Sequence, residues 1–584
     1  MGHPRSPARF GVAVQSTGGS YDWRYPQGLP TVTALGAAIA AANATAAAGT
    51  AAVTGGASWW LPGQLGAGHW RPKVLDGYVA FPRPDSETGI LGSTATAAHR
   101  VCYYDGVNPF KYFVHPHVLG MAEPIMWNLD IAPPWASIPY PFYRGVDVNG
   151  DAIPYGWVEG TPTQAYSAGS PAAFQVTGRD QNGETVVINW TMYTDNSFYL
   201  FVDNVNGSDA NAGDIAHPFQ TLGKVMGAAT SSTTYPNKII CIRGRGTPYA
   251  MAIQTGGAGT AYLDGARTPI SYMSYPDEDV TISLANSQLR ISHIADGGIY
   301  GTPAHPISLS GSSSTSAEAH GIWIDENDRF TFRNIRFPNP VSRTAGLETN
   351  TTSIHAGSQT VHRKHISLTD CEETGRTTVG GANNNYMLHN MFCTDYSGAQ
   401  FCRGKCTVTD DFTNGLTWKD SNTYCVSRFC TSALYSASGT GGGGQGMLAM
   451  SQTTGGQVSF VGCLVVGGYL GFNLQAGGIG PFYSTRNTIY ASDLQENQAI
   501  RGVASGSATF FSDADAIVAR SQAVTANVSA TNTEVQYLWN GDGAPGGVNT
   551  PFDKVTGKLR NISGGTQWAA LYDRTALSRG HVYG

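Results

Sequence analysis

Phe330-Thr331-Phe332-Arg333-Asn334-Ile335-Arg336-Phe337 decides the fold. Apolar and polar residues alternate on both sides of Asn334, the period of a strand with one buried face. Asparagine accepts a left-handed backbone and bonds its own local peptide groups, so the chain bends there and resumes as a second strand. The same shape recurs around Asp370, Asn390, Asp410, Gly462 and Asn487. These breaks lie 36, 20, 20, 52 and 25 residues apart. A strand-turn-strand unit repeating every twenty-odd residues is a solenoid coil, and longer gaps fit coils that carry loops. The alternation points Phe332, Ile335, Met391 and Leu464 inward.

The rest of the 584-residue chain agrees with short strands and tight turns. Glycine is abundant at 73 residues, and charged residues make up only 13%, about half the usual share. A net charge of −6 gives no basic footprint for nucleic acid. The apolar-looking stretch from Ala34 to Ala52 is mostly Ala, Thr and Gly, with Leu35 and Ile39 its large apolar residues, too poor in large side chains to insert in a membrane. The start, MGHPRSPARFGVAVQ, lacks the basic-then-apolar order of a secretory signal. Cys402, Cys406, Cys425 and Cys430 have spacers looser than a zinc knuckle and sit in strand-like runs. They read as inward-facing small hydrophobes, and no metal or other cofactor is expected.

Upstream of the repeat, Val202-Asp203 leads into Gly207-Ser208-Asp209 and Gly213, then Pro218-Phe219-Gln220-Thr221-Leu222 and a short helical stretch through Met226. A strand follows at Lys238–Arg243. This order, over residues 202 to 283, resembles the amino-terminal cap and first coils of right-handed parallel β-helix proteins, the family of pectate-lyase-like enzymes and phage tailspikes. The resemblance implies an all-β, right-handed parallel β-helix in which the capping helix covers the open end of the core. It implies little about chemistry, because one fold hosts many functions.

Four segments are expected. Residues 1–155, rich in Pro, Trp and Tyr, form a β-rich head. Within it, His115 and His117 flank Pro116 with no carboxylate nearby, a strand edge rather than a metal site. Residues 156–203 alternate around Asp180-Gln181-Asn182-Gly183 and form a small β-sandwich-like module. Residues 204–500 form the β-helix, with Gly439–Met447 a loop. Residues 501–584, including a helix at Asp513–Ala523, form an end cap or an oligomer contact.

No contiguous catalytic signature is present. Adjacent coils, however, bring equivalent residues to about 4.8 Å, so carboxylates one or two coils apart can reach the separations of retaining and inverting glycosidases. The candidates are Glu372 and Glu373 paired with Asp395 or Asp411, one carboxyl protonated and one ionised. Asp370 and Asp410 occupy turns and are expected to bond backbone N–H groups. Tyr396 and Trp418 are candidates to stack on sugar rings, and Arg376, Arg403 and Lys405 to hold an acidic sugar.

The absence of a signal beside an extracellular architecture, the distinct head, and a surface poor in charge but rich in Ser, Thr, Asn and aromatics suggest a virion spike. It would recognise host surface polysaccharide, with cleavage an open question, and contact other virion proteins through its head. By resemblance it is expected to be a homotrimer. A secreted polysaccharide lyase or glycoside hydrolase and a non-catalytic surface adhesin stand as the alternatives.

Overall fold

The computed structural model describes residues 98–226 with short breaks, the strands between 235 and 538 with most of their tighter turns, and three strands ahead of residue 98. Three long parallel sheets wrap one core and make a right-handed parallel β-helix. Sheet I runs from Tyr199–Val202 through Phe330–Arg333, Ser367–Thr369, Gly398–Gln400 and Cys425–Arg428 to Phe510–Asp513. Sheet II includes Ile335–Pro338, Glu372–Thr377, Arg403–Val408 and Thr431–Ser436. Sheet III includes Asn350–Ala356, Asn385–Tyr386 and Thr413–Lys419.

Sheet I passes into sheet II through a single left-handed residue: Asn334, Asp370, Phe401, Phe429 and Gly462 all have φ between 50° and 62°. Asn334, Asp370 and Gly462 are the breaks expected from sequence. Asn390 instead lies inside the strand His389–Phe392, and Asp410 falls outside the described residues. The coils there are therefore about 30 residues long, not 20. A left-handed phenylalanine is strained, and packing offsets the strain. Phe401 and Phe429 stack at 5.7 Å and 5°, and Tyr143 stacks on Phe429 at 5.0 Å. The next corner is glycine by necessity, since a Cβ on Gly462 would sit 2.7 Å from the Phe429 ring.

The residue after each corner points inward and stacks in register: Ile335, Cys371, Cys402, Cys430, Cys463 and then Asn487. The four thiols are free and buried, and burial pushes those of Cys371, Cys402 and Cys430 well up. They act as the small hydrophobes expected; Cys425 is buried too, while the Cys406 side chain lies outside the described ones. Asn487 closes the column by accepting from the Cys463 N–H at 2.7 Å and donating to the Phe460 carbonyl. Phe332 and Ile335 face the core as expected. Leu464 is buried but on the outward column of Arg403 and Thr431, and the Met391 side chain is outside the described ones. The cap is as expected: the helix Leu222–Met226 sends Leu222 and Val225 into the same core.

Two expected boundaries move. Strands Ala98–Cys102 and Met126–Ile131, from the head, join Ala172–Arg179 and Thr185–Thr194 in one four-stranded sheet. A second sheet holds Gly77–Ala80, Tyr112–Val118, Val158–Gly160 and Ala136–Ser137. Phe174 stacks on Trp190 at 5.0 Å, and Trp190 Nε1 donates to the Tyr112 hydroxyl between the two sheets. Head and sandwich are thus one module, and a cut at residue 155 would split its sheets. His115 lies on Tyr112–Val118, which has a neighbour on each side, so it is central rather than at an edge. At the other end the coils continue past residue 500, through Phe510–Asp513, Ala516–Ala519 and Gln522–Val524. The expected helix there is absent because in-register pairing with the preceding coil, as in Ile489 against Ile517, overrides the helix propensity of its alanines.

Candidate functional site

The outward side of sheet II carries a column of polar residues one strand apart. Thr281, Ser308, Arg336, Glu372, Arg403 and Thr431 are in register on successive coils. The alternation that points Ile335 and Phe337 to the core turns Arg336 outward. Next to this column the corner residue Asp370 presents its carboxylate.

These side chains form a partly buried ion ladder. Glu372 Oε2 lies 3.3 Å from Arg336 Nε and 3.3 Å from Arg403 Nη2. Asp370 Oδ1 lies 2.7 Å from Arg403 Nη2 and 3.3 Å from Arg336 Nη2. Burial alone would lower the Arg403 guanidinium, but the facing Asp370 and Glu372 carboxylates outweigh it and hold it above its ordinary value. Asp370 therefore spends its carboxylate on two guanidinium groups, not on the backbone N–H groups expected of a turn residue. Alternating charges at strand spacing hold one another in place, and each arginine keeps an edge toward solvent, with 19% of the Arg336 side chain and 14% of that of Arg403 exposed.

The other candidates separate. Glu373 points inward, is wholly buried, and accepts the Leu388 N–H at 2.7 Å. That bond pins a left-handed leucine, φ 48°, so Glu373 is a structural carboxylate and not an acid facing a groove. Trp418 lies in the core with no exposure, its Nε1 donating to Ser427 Oγ at 2.9 Å; it cannot stack on a sugar. Lys405 pairs with Asp151 of the module, and so joins two parts of the chain rather than meeting a ligand.

Asp395 sits on the short strand Thr394–Asp395, paired with Arg363–Lys364, on the far side of sheet I from Glu372. The stretch from Ser397 to Phe401 lies between them, roughly 13 Å of strand at ~3.3 Å per residue. That is beyond the ~9.5 Å limit for an inverting pair, and the module packs over the intervening strand. Arg376 lies past a bulge in Glu372–Thr377, opposite Cys406, and its side chain is outside the described ones. Tyr396 and Asp411 are outside the described residues. Among the described residues no helix is long and apolar enough to cross a membrane.

No protein-family model matches the chain, and no curated protein matches it. Among solved structures it is similar to a GH136 lacto-N-biosidase from Eubacterium ramulus, at 12% identity over 58% of this chain and 68% of that one, with a TM-score of 0.26. It is also similar to the catalytic domain of a GH87 alpha-1,3-glucanase in complex with nigerose, at 10% identity over 74% and 86%, TM-score 0.24. A third is ORF18 of Geobacillus virus E2, at 10% identity over 58% and 68%, TM-score 0.19. Likenesses this weak assign no activity to the chain.

The ion ladder contains Glu372 and Arg403, both expected at a site, and adds Arg336, which sequence reasoning passed over. The signal for it lies in Phe330–Phe337, where Arg336 occupies an outward phase of the strand.

Proposed function

We propose that the chain is a virion spike whose solenoid recognises host surface polysaccharide along the outward column of sheet II. The observation that carries this reading is that column. Hydroxyl side chains at Thr281 and Ser308 lead into Arg336, Glu372 and Arg403, one residue about every 4.8 Å along the column. A linear surface of donors and acceptors suits a linear polymer of hydroxyl groups, and the arginines suit an occasional carboxylate on it. Neither Glu373, which is interior, nor Glu372 with Asp395, which lie on opposite sides of sheet I, forms a hydrolytic pair.

Ser308 is half-buried on the outward side, so Ser308→Trp obstructs the column without entering the core. Binding of the full chain to polysaccharide from a susceptible host, read by biolayer interferometry, is expected to weaken at least about tenfold, equivalent to ~1.4 kcal/mol. Unchanged affinity would remove the column from the reading.

The mounting role passes to residues 1–74, since the strands from Gly77 onward belong to the module. A chain beginning at Leu75 is expected to bind polysaccharide yet fail to join particles. One beginning at Thr161 lacks six of the module's eight strands, including Ala98–Cys102, Tyr112–Val118 and Met126–Ile131, and is expected to aggregate. Particle incorporation of the Leu75 chain would reverse the assignment.

A further inference from the structure

The module does not project from the solenoid; it lies on the outer side of sheet I. Ile239, Cys241, Met273, Tyr300, Phe401 and Phe429 point away from the solenoid core and share one hydrophobic cluster with the module. A polar seam runs through this apolar contact. Arg333 Nη1 donates to the Phe113 carbonyl at 2.9 Å, and its guanidinium lies 4.4 Å from the Phe113 ring centre. Gln400 Nε2 donates to His115 Nδ1 at 2.7 Å and to Thr369 Oγ1 at 3.2 Å. Arg428 Nη2 donates to Gln400 Oε1 at 2.7 Å. His115 Nε2 lies 2.8 Å from the Tyr155 carbonyl.

We propose that His115 is an acid-sensitive latch, and that protonating its imidazole breaks this seam and releases the module from the solenoid. The hydrogen-bond directions leave one arrangement. The Tyr155 carbonyl can only accept, so Nε2 carries the proton and Nδ1 accepts from Gln400. A second proton, on Nδ1, would face the Gln400 amide NH2. Turning that amide over would satisfy His115 but set NH2 against the Arg428 guanidinium, so the conflict moves along the seam and is not relieved.

The charged groups around the imidazole agree. Sheet I contributes Arg333 and Arg428, which both oppose a further cation. The corner contributes Asp370, which favours one but is already bound to Arg336 and Arg403. From the module the neighbouring group is the Tyr155 carbonyl, which favours the cation, though less than burial opposes it. Burial is the largest influence, and His115 is lowered from 6.5 to about 4 in the docked chain.

A depressed histidine favours its neutral form in the docked state. Docking is therefore complete above about pH 6.5, the ordinary value that the released side chain regains, and weakens as pH falls toward 4. The docking constant is reduced about 150-fold at pH 4 and about 300-fold well below it. Release would uncover the apolar outer side of sheet I. The latch operates whatever the solenoid binds.

The test is pulse-labelling hydrogen exchange of the full chain from pH 7 to 4, corrected for intrinsic rates, on wild type and His115→Gln. Glutamine can accept from Gln400 and donate to Tyr155 without titrating. Wild type should lose protection across Tyr112–Val118 and the Phe401 corner between pH 6.5 and 4, while the variant stays protected. The same acid profile in both proteins would overturn the latch. If the variant is already open at pH 7, the imidazole of 13C-histidine-labelled wild type decides: titration near 4 as the seam opens supports the proposal, and titration at 6.5 or above with the module docked overturns it.

Discussion

Trp418→Ala is expected to lower the unfolding free energy by about 3–5 kcal/mol, the loss typical of emptying a large aromatic site, and to leave polysaccharide binding by the folded protein unchanged. The indole fills the solenoid interior between sheet III and the strand Cys425–Arg428, with no exposed surface and its N–H held by Ser427 Oγ. Neighbouring coils are tied by in-register backbone pairing and cannot collapse far into the gap, so the cavity term stays large. Trp418→Phe should cost less, since most of the volume remains and only the hydrogen bond to Ser427 is removed. Denaturant unfolding beside a binding isotherm separates stability from recognition. A variant of full stability with weakened binding would return the ring to the surface.

That residue also shows where the sequence stops being legible. A tryptophan near acidic residues suggests a sugar platform, but sidedness in a strand follows from register, and one residue decides between core and solvent. Trp418 shares its phase with Leu416, which is also buried in the core, so alternation within the strand contains the answer once its true neighbours are known. A coil of twenty residues assigns it the wrong neighbours. Turns at Asn334, Asp370 and Gly462 announce themselves by residue type, since Asn, Asp and Gly tolerate left-handed backbone. Phe401 and Phe429 do not. Their conformation is held by stacking with each other and with Tyr143, contributed from more than 250 positions earlier in the chain, and no local reading sees that partner. With corners at Asn390 and Asp410, Asp395 falls beside Glu372; in the structure it lies across sheet I.

The docking of the module was hidden for the same physical reason. Outward positions of sheet I such as Arg333, Thr369, Gln400 and Arg428 are polar, as a solvated side would be, yet all four are buried. Each of these side chains has a hydrogen-bond partner in the module or on a neighbouring coil, which is how a buried interface accommodates them. Composition cannot distinguish a polar column facing water from one facing a partner's carbonyls.

Lys405 provides the sharpest case. Read from sequence it is a cation for an acidic sugar; in the structure its ammonium meets the carboxylate of Asp151, which is 2% exposed. Lys405→Met removes the charge and keeps the aliphatic length, leaving Asp151 buried without its ion-pair partner. Breaking a buried pair from one side typically costs about 3–5 kcal/mol. The lower end is expected here, because the Arg403 guanidinium still lies close enough to act on Asp151. Adding Asp151→Asn removes the stranded charge, so the double variant should recover most of the loss, and a double-mutant cycle in thermal or denaturant unfolding measures the coupling. A lysine that serves the ligand instead predicts the opposite pattern: stability unchanged in Lys405→Met, affinity reduced, and nothing restored by the second substitution. Because the pair joins the module to sheet II at the corner where Tyr143 covers Phe429, its loss should also raise hydrogen exchange at Phe429 and Thr431 before it affects the coils nearer the cap.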